Sequence, residues 1–248
     1  MFRGLLVLIS FFTRIPIGKK IEFNEAEYKK ALCLYAFIGL IIGLVLTIGY
    51  FIGDFLEIIY IKGLIITAIY IIITGGIHLD GASDTVDGLF SGRTGDRIFE
   101  IMSDSRIGAF GVISLILILY CQLIFFSNVS IYTLILTPVV GKVSVVVSCY
   151  KKKYAKKSLG MGTIFVESIK LKELLINLGI ILILCVVLKG CIINILSTVL
   201  TFIIVFFMSK WIENKIFGMT GDTCGFVAEI SQIVFMFLSL IVGKVILL

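Results

Sequence analysis

Seven apolar stretches, each close to the roughly 20 residues that a helix needs to cross a bilayer, leave this chain few ways to fold. They run over about residues 31–52, 63–79, 107–127, 129–149, 173–188, 190–208 and 226–247. Hydrophobic residues make up 59% of the 248 and charged residues 15%, with a mean hydropathy of +1.15, whereas a soluble domain is roughly 45–50% apolar. The expectation is an all-α fold, a polytopic integral membrane helical bundle of about seven transmembrane helices. The stretch from Met1 to Ile17 is basic at Arg3, then apolar, and is closed by Arg14 and Pro16 with no small-residue cleavage site after it. It reads as an uncleaved helix that lies in the interface or is re-entrant. No repeat or composition break divides the chain, so residues 1–248 are expected to form one membrane-embedded domain.

The basic residues test this division, because Lys and Arg concentrate in cytoplasmic loops. Eighteen of the 22 fall in segments 1–30, 80–106, 150–172 and 209–225, while the intervening loops hold only Lys62 and Lys189. This alternation puts the amino terminus inside and the carboxyl terminus outside, in a multi-pass protein of the cell membrane. Every loop with motif character falls on the cytoplasmic side. The net charge of +6 is therefore read as topology and as attraction for substrate phosphates, not as a nucleic-acid surface. The six cysteines, at 33, 121, 149, 185, 191 and 224, form no CxxC pair and read as small hydrophobes in a reducing compartment.

The second stretch ends in Gly75-Gly76-Ile77-His78-Leu79-Asp80-Gly81-Ala82-Ser83-Asp84-Thr85-Val86-Asp87-Gly88. If the helix continues, Asp80, Asp84 and Asp87 stand at i, i+4 and i+7 and share roughly a 60° arc. Three carboxylates on one face at a membrane boundary repel one another unless a cation sits among them. Oxygen-only ligands favour Mg²⁺ or Mn²⁺, and Mg²⁺ commonly joins one or two carboxylates to substrate phosphates. A solvated helix face just outside the membrane is the plainer reading of the same residues.

Other candidates surround this cluster. Arg93 and Arg97 stand four apart and lead to Glu100, Asp104, Ser105 and Arg106. Guanidinium forks suit phosphate oxygens, and Asp104 is placed to return to the metal from a second helix, although mixed charge at this spacing also describes an ordinary exposed helix. His78 is the only histidine, more often structural in such a setting, and otherwise a substrate contact. Lys142 lies inside an apolar stretch, where an ionisable group is a functional candidate by default. Residues 151–157 hold five lysines, enough for a topological anchor or for a phosphate-attracting rim. The segment Gly218-Met219-Thr220-Gly221-Asp222-Thr223-Cys224-Gly225, with Glu229 beyond it, offers a phosphate-binding turn or further metal ligands.

Taken together, the Gly75–Gly88 run and the later Glu100-Ile101-Met102-Ser103-Asp104-Ser105-Arg106-Ile107-Gly108 resemble the cobalamin synthase family, the adenosylcobinamide-GDP ribazoletransferases. Phe11-Phe12-Thr13-Arg14-Ile15-Pro16, Tyr154-Ala155 with Gly160-Met161-Gly162, and Thr220-Gly221-Asp222-Thr223 extend the resemblance over nearly the whole chain. Lys142 stands where the family tends to have arginine, and Gln232 where some relatives carry a second glutamate. The resemblance implies a Mg²⁺-dependent reaction of adenosylcobinamide-GDP with α-ribazole or its 5′-phosphate, giving adenosylcobalamin or its 5′-phosphate and GMP. It implies Asp80, Asp84, Asp87 and Asp104 as the catalytic and metal-holding set. His78, Arg93, Arg97, Arg106, Lys142, Thr220, Asp222 and Glu229 are the implied substrate contacts. A homo-oligomer, or contact with other enzymes of nucleotide-loop assembly, is an open expectation.

Three other readings compete, of which an aspartate-rich aromatic prenyltransferase would want a second acidic segment where only the isolated Asp222 and Glu229 are available. A CDP-alcohol phosphotransferase also sets spaced aspartates at a membrane surface, but its Asp-Gly-x-x-Ala-Arg core is missing its Ala-Arg step here. A divalent-cation transporter places its coordinating groups near the bilayer midplane, whereas these acids cluster at a cytoplasmic end.

Overall fold

The computed structural model describes residues 2–17, 23–156 and 160–246. Lys157 of the lysine run, and the outermost residues of the first and last expected segments, lie outside them. Within the described residues the chain is helical throughout, and its only β-type pairing is an isolated bridge between Tyr154 and Met219. The helices are α1 (Phe2–Phe12), α2 (Glu25–Ala31), α3 (Tyr35–Leu56), α4 (Ile59–Thr74), α5 (Ile77–Phe90), α6 (Asp96–Met102), α7 (Ala109–Asn128), α8 (Ile131–Cys149), α9 (Met161–Ser168), α10 (Leu171–Val187), α11 (Cys191–Ile216) and α12 (Gly221–Ile246).

The bundle is built around α8, most of whose residues are buried against α3, α10, α11 and α12. Its sequence explains that position. Small and β-branched residues around Pro138 give it a slim profile, and Gly39 and Gly43 of α3 lie directly on the backbone of Pro138 and Ile135; in lipid, such close backbone approach replaces the hydrophobic drive between helices. Outside this core, α7 and α11 turn large apolar side chains such as Ile116, Leu117, Phe206 and Phe207 outward. Asn177 of α10 is an exception to the apolar packing. Its amide accepts from Ala36 N–H at 2.8 Å and donates to Leu32 C=O at 2.9 Å, satisfying backbone groups where a short 3₁₀ turn leads into α3.

Five helical segments are long and apolar enough to cross a membrane, and a sixth is reached if α4 and α5 are taken as one bent span. The expected fifth span corresponds to α10, with 17 residues. Three expectations are corrected. The helix expected to run on past Gly75-Gly76 breaks there, because both glycines adopt left-handed φ values, 65° and 71°, that other residues rarely tolerate. α5 then departs at 91° from α4, off the line of that helix. Arg14 lies over this elbow, with its amide donating to Ile73 C=O at 2.7 Å and its guanidinium against Gly75. The expected loop 209–225 shrinks to residues 217–220, since α11 runs to Ile216 and α12 starts at Gly221. The expected loop 80–106 is itself mostly α5 and α6.

At the amino terminus, α1 has 11 residues. At about 1.5 Å per residue it is far too short for the roughly 30 Å apolar layer. It packs on α2, with Gly4 against the Glu27 carbonyl.

Candidate functional site

Helix α5 carries the acidic run at the predicted spacing, and it crosses α12 so closely that Gly81 faces the Asp222 backbone and Gly225 faces that of His78. A side chain at either glycine would hold the helices apart. This crossing brings Asp222, 138 positions beyond Asp84 in sequence, into the acidic group. Asp84 feels the charges of Asp80, Asp222 and Asp87, against Lys156 as the opposing cation, and burial together with those acids pushes its carboxyl up to about 6.

Two cavities meet at Asp80. One, of about 360 Å³, is polar and is lined by Asp80, Ser83, Asp84, Ser103, Asp104 and Ser105. The other, of about 240 Å³, is walled largely by aromatic rings from α1, α2, α3 and α9, with His78, Asp80, Lys156 and Asp222 along it. Asp104 reaches the polar cavity from the segment after α6. Arg106 grips it through both Nε, at 3.1 Å, and Nη2, at 2.9 Å, and holds its carboxyl at about 2. Lys156 forms an ion pair with Asp222 at 2.9 Å. The strand-like bridge that ties residues 153–155 to the turn before α12, with Ala155 N–H donating to Met219 C=O at 2.9 Å, holds Lys156 there.

Several expected site residues stand elsewhere. Asp87 does not face the polar cavity: its two oxygens accept the backbone amides of Gly108 at 2.7 Å and Gly111 at 2.8 Å. It caps the start of α7, where four amides lack helical partners. Thr220 and Thr223 cap α12 reciprocally, Thr223 N–H donating to Thr220 Oγ1 at 3.1 Å and Thr220 N–H to Thr223 Oγ1 at 2.8 Å, so the Thr220 hydroxyl is occupied. Glu229 is buried away from both cavities. Tyr70 donates to one of its oxygens at 2.6 Å and Gln122 to the other at 2.7 Å. Arg93 is exposed and lines neither cavity; Arg97 is exposed too and pairs with Glu100 at 2.7 Å. Lys142 is buried behind His78, its ammonium 3.3 Å from both ring nitrogens and over the rings of Phe12 and Tyr35. It does not line the aromatic cavity itself and stands behind three residues that do, His78, Phe12 and Tyr35.

Sequence reasoning offered the lysine run as an anchor or a phosphate-attracting rim without singling out Lys156, and it passed over the aromatic wall, whose rings are scattered from Phe11 to Phe165. The interruption of the run by Tyr154-Ala155 was the one local signal for the former. Nothing local marked the latter.

The residues fit Mg²⁺ in part. All the donors are oxygens, and the crowded acids leave uncompensated negative charge. Among the described residues, however, no three acidic, histidine or cysteine side chains converge on one point to hold an ion by themselves. Two or so carboxylates completed by substrate phosphate and water is how Mg²⁺ is ordinarily bound.

A sequence profile described as cobalamin-5-phosphate synthase matches residues 4–240. The chain is 37% identical to an adenosylcobinamide-GDP ribazoletransferase of Alkaliphilus oremlandii, over 99% of this chain and 100% of that protein. It is also 37% identical to the protein of that name from Clostridium acetobutylicum, over 93% of each. With its namesake from Fusobacterium nucleatum it shares 34%, over 97% of this chain and 98% of the other. No solved structure shows a significant match.

Proposed function

Because the chain belongs to the cobalamin-5-phosphate synthase family, we propose that it joins adenosylcobinamide-GDP to α-ribazole or its 5′-phosphate, with release of GMP. The observation that carries the reading is the position of Asp80 on the shared wall of a polar, acidic cavity and an aromatic one. A pyrophosphate suits the first, and the second suits a flat ring system.

In this reading the acceptor's 3′-hydroxyl oxygen bonds to the phosphorus on the cobinamide arm. The bond from that phosphorus to the bridging oxygen breaks, and GMP leaves with that oxygen. Asp80 stands at the junction and takes the hydroxyl proton. Asp80 and Asp84, with Asp104 beside them, would hold Mg²⁺, or Mn²⁺ in its place. Bound there, the cation supplies charge neutralisation for the pyrophosphate. Lys156, in its ion pair with Asp222, offers positive charge to the departing phosphate, and Arg106 fixes Asp104. Asp87 and Thr220 serve as helix caps. The protein works as a multi-pass protein of the cell membrane, with its amino terminus and site in the cytoplasm and its carboxyl terminus outside.

The test is direct. Purified protein in lipid, given Mg²⁺, adenosylcobinamide-GDP and α-ribazole, forms GMP and a cobalamin product in equal amounts, and Asp84→Asn does not. Absence of product from the unaltered protein, or full activity in Asp84→Asn, refutes the proposal. Reporter fusions at the two termini check the orientation.

A further inference from the structure

Within the reaction proposed above, we infer that the aromatic cavity is the seat of the acceptor's fused benzimidazole base, and that the guanine of the nucleotide lies elsewhere. This inference rests on that reading of the reaction and adds a location for one substrate within it.

Three observations lead there. The first is the wall itself. Phe12, Tyr35 and Phe165 come from three separate helices and meet edge to face, with ring centroids 5.0 Å apart for Phe12–Tyr35, 4.9 Å for Tyr35–Phe165 and 6.3 Å for Phe12–Phe165. Phe11, Tyr28 and Tyr154 complete the ring of aromatics. The rings brace one another, so a flat apolar base meets a wall fixed by its own packing, and each face it presents gains stacking.

The second observation is the state of the polar groups along that wall. Lys156 and Asp222 satisfy each other, His78 is engaged by Lys142, and Asp80, the remaining charged group, stands at the border with the polar cavity, where the ribose hydroxyl takes it. Guanine carries donors and acceptors around its edge, and a pocket that leaves them unmet rejects it. A benzimidazole has one ring-nitrogen acceptor and is otherwise apolar. Tyr28 and Tyr35 line the cavity, and among the described residues neither hydroxyl makes a hydrogen bond, so either is free to donate to that nitrogen.

The third is position. With the base among these rings, the attached ribose falls at Asp80, on the wall shared with the polar cavity. The attacking hydroxyl then faces the phosphates across Asp80, which among the described residues alone lines both spaces.

Binding of α-ribazole and of GMP, measured on the full-length protein in lipid nanodiscs, tests the assignment beside steady-state turnover. Phe11 is a suitable first target because its side chain is 39% exposed and Phe11→Leu keeps apolar bulk while losing the ring. Phe11→Leu and Phe165→Leu are expected to weaken α-ribazole and raise its KM by roughly 10-fold. GMP affinity and the KM for adenosylcobinamide-GDP should change by less than about 2-fold, and Phe11→Trp should restore α-ribazole binding. The reverse pattern, with GMP weakened and α-ribazole unchanged, overturns the assignment and leaves the proposed reaction standing. If the unaltered protein binds α-ribazole in a ring-dependent way but makes no GMP, the site holds and the reaction does not.

Discussion

Asp87 and Gly111 are joined across 24 positions by a hydrogen bond of 2.8 Å, from the Gly111 amide to the Asp87 carboxylate. With the matching bond from Gly108, it fastens the acidic helix α5 to the start of α7. A hydrogen bond to a charged group contributes about 1.5–3 kcal/mol.

Asp87→Asn should therefore lower the thermal unfolding midpoint, through a loss of about 1.5–3 kcal/mol, because the asparagine amide presents only one acceptor to two donors. The midpoint shift produced by Mg²⁺ should survive. A variant as stable as its parent but no longer shifted by Mg²⁺ would return Asp87 to the metal set.

Asp84 should behave in the opposite way. Its folded-state carboxyl is raised to about 6 from an ordinary 3.8. Without a divalent cation it therefore costs the fold nothing below about pH 4 and lowers stability as pH climbs towards 6. At pH 7.5, Asp84→Asn should raise the midpoint in EDTA and abolish both turnover and the Mg²⁺ shift. Since protons compete for the same carboxylate, apparent Mg²⁺ affinity in the unaltered protein should strengthen as pH rises through about 6. Calorimetric titration from pH 5 to 8 reads this, and a flat profile would detach Asp84 from the cation.

The cationic side chains separate into two groups. Arg93→Ala and Arg97→Ala should change kcat/KM by less than about 3-fold, because exposed charges and surface pairs contribute little. Lys156→Ala should lower it by roughly 10-fold or more, as befits loss of a charge-assisted contact. Equal effects for all three would make the interaction long-range and non-specific.

Lys142 has no carboxylate within ion-pair distance among the described residues and rests on His78 and two rings. Lys142→Met removes a buried charge that is only partly compensated, so stability should hold or rise. The KM for adenosylcobinamide-GDP should move by less than about 3-fold, with any loss appearing in kcat. A KM increase of 10-fold or more would mean that the ammonium touches the substrate.

The parts of this arrangement that were readable beforehand are those set by local geometry. Asp80 and Asp84 share a face because helical periodicity requires it, and α7 and α8 fall where apolar length demands. The elbow was hidden because hydropathy runs on across Gly75-Gly76, although the paired glycines were in view. Asp222 looked like a loop residue because the end of α11 is charged with Lys210, Glu213 and Lys215, which resembles a loop until the helix is seen to continue through it. The tasks of Asp87 and Glu229 depend on partners supplied by other segments. A carboxylate that caps a distant helix and one that waits for a cation are written with the same letter.

The burial of α8 also bears on how the protein is made. It is the least apolar of the five membrane-length segments and carries Lys142 within it, and a lysine at mid-helix costs about 2.5–3.5 kcal/mol on insertion scales. Released singly into lipid during synthesis, this segment would be poorly retained. Its slim face is complementary to α3, which is translated earlier, so α8 is best accommodated as a late arrival into a partly assembled bundle. The element on which the whole assembly leans is the one that depends most on the others for its entry into the bilayer.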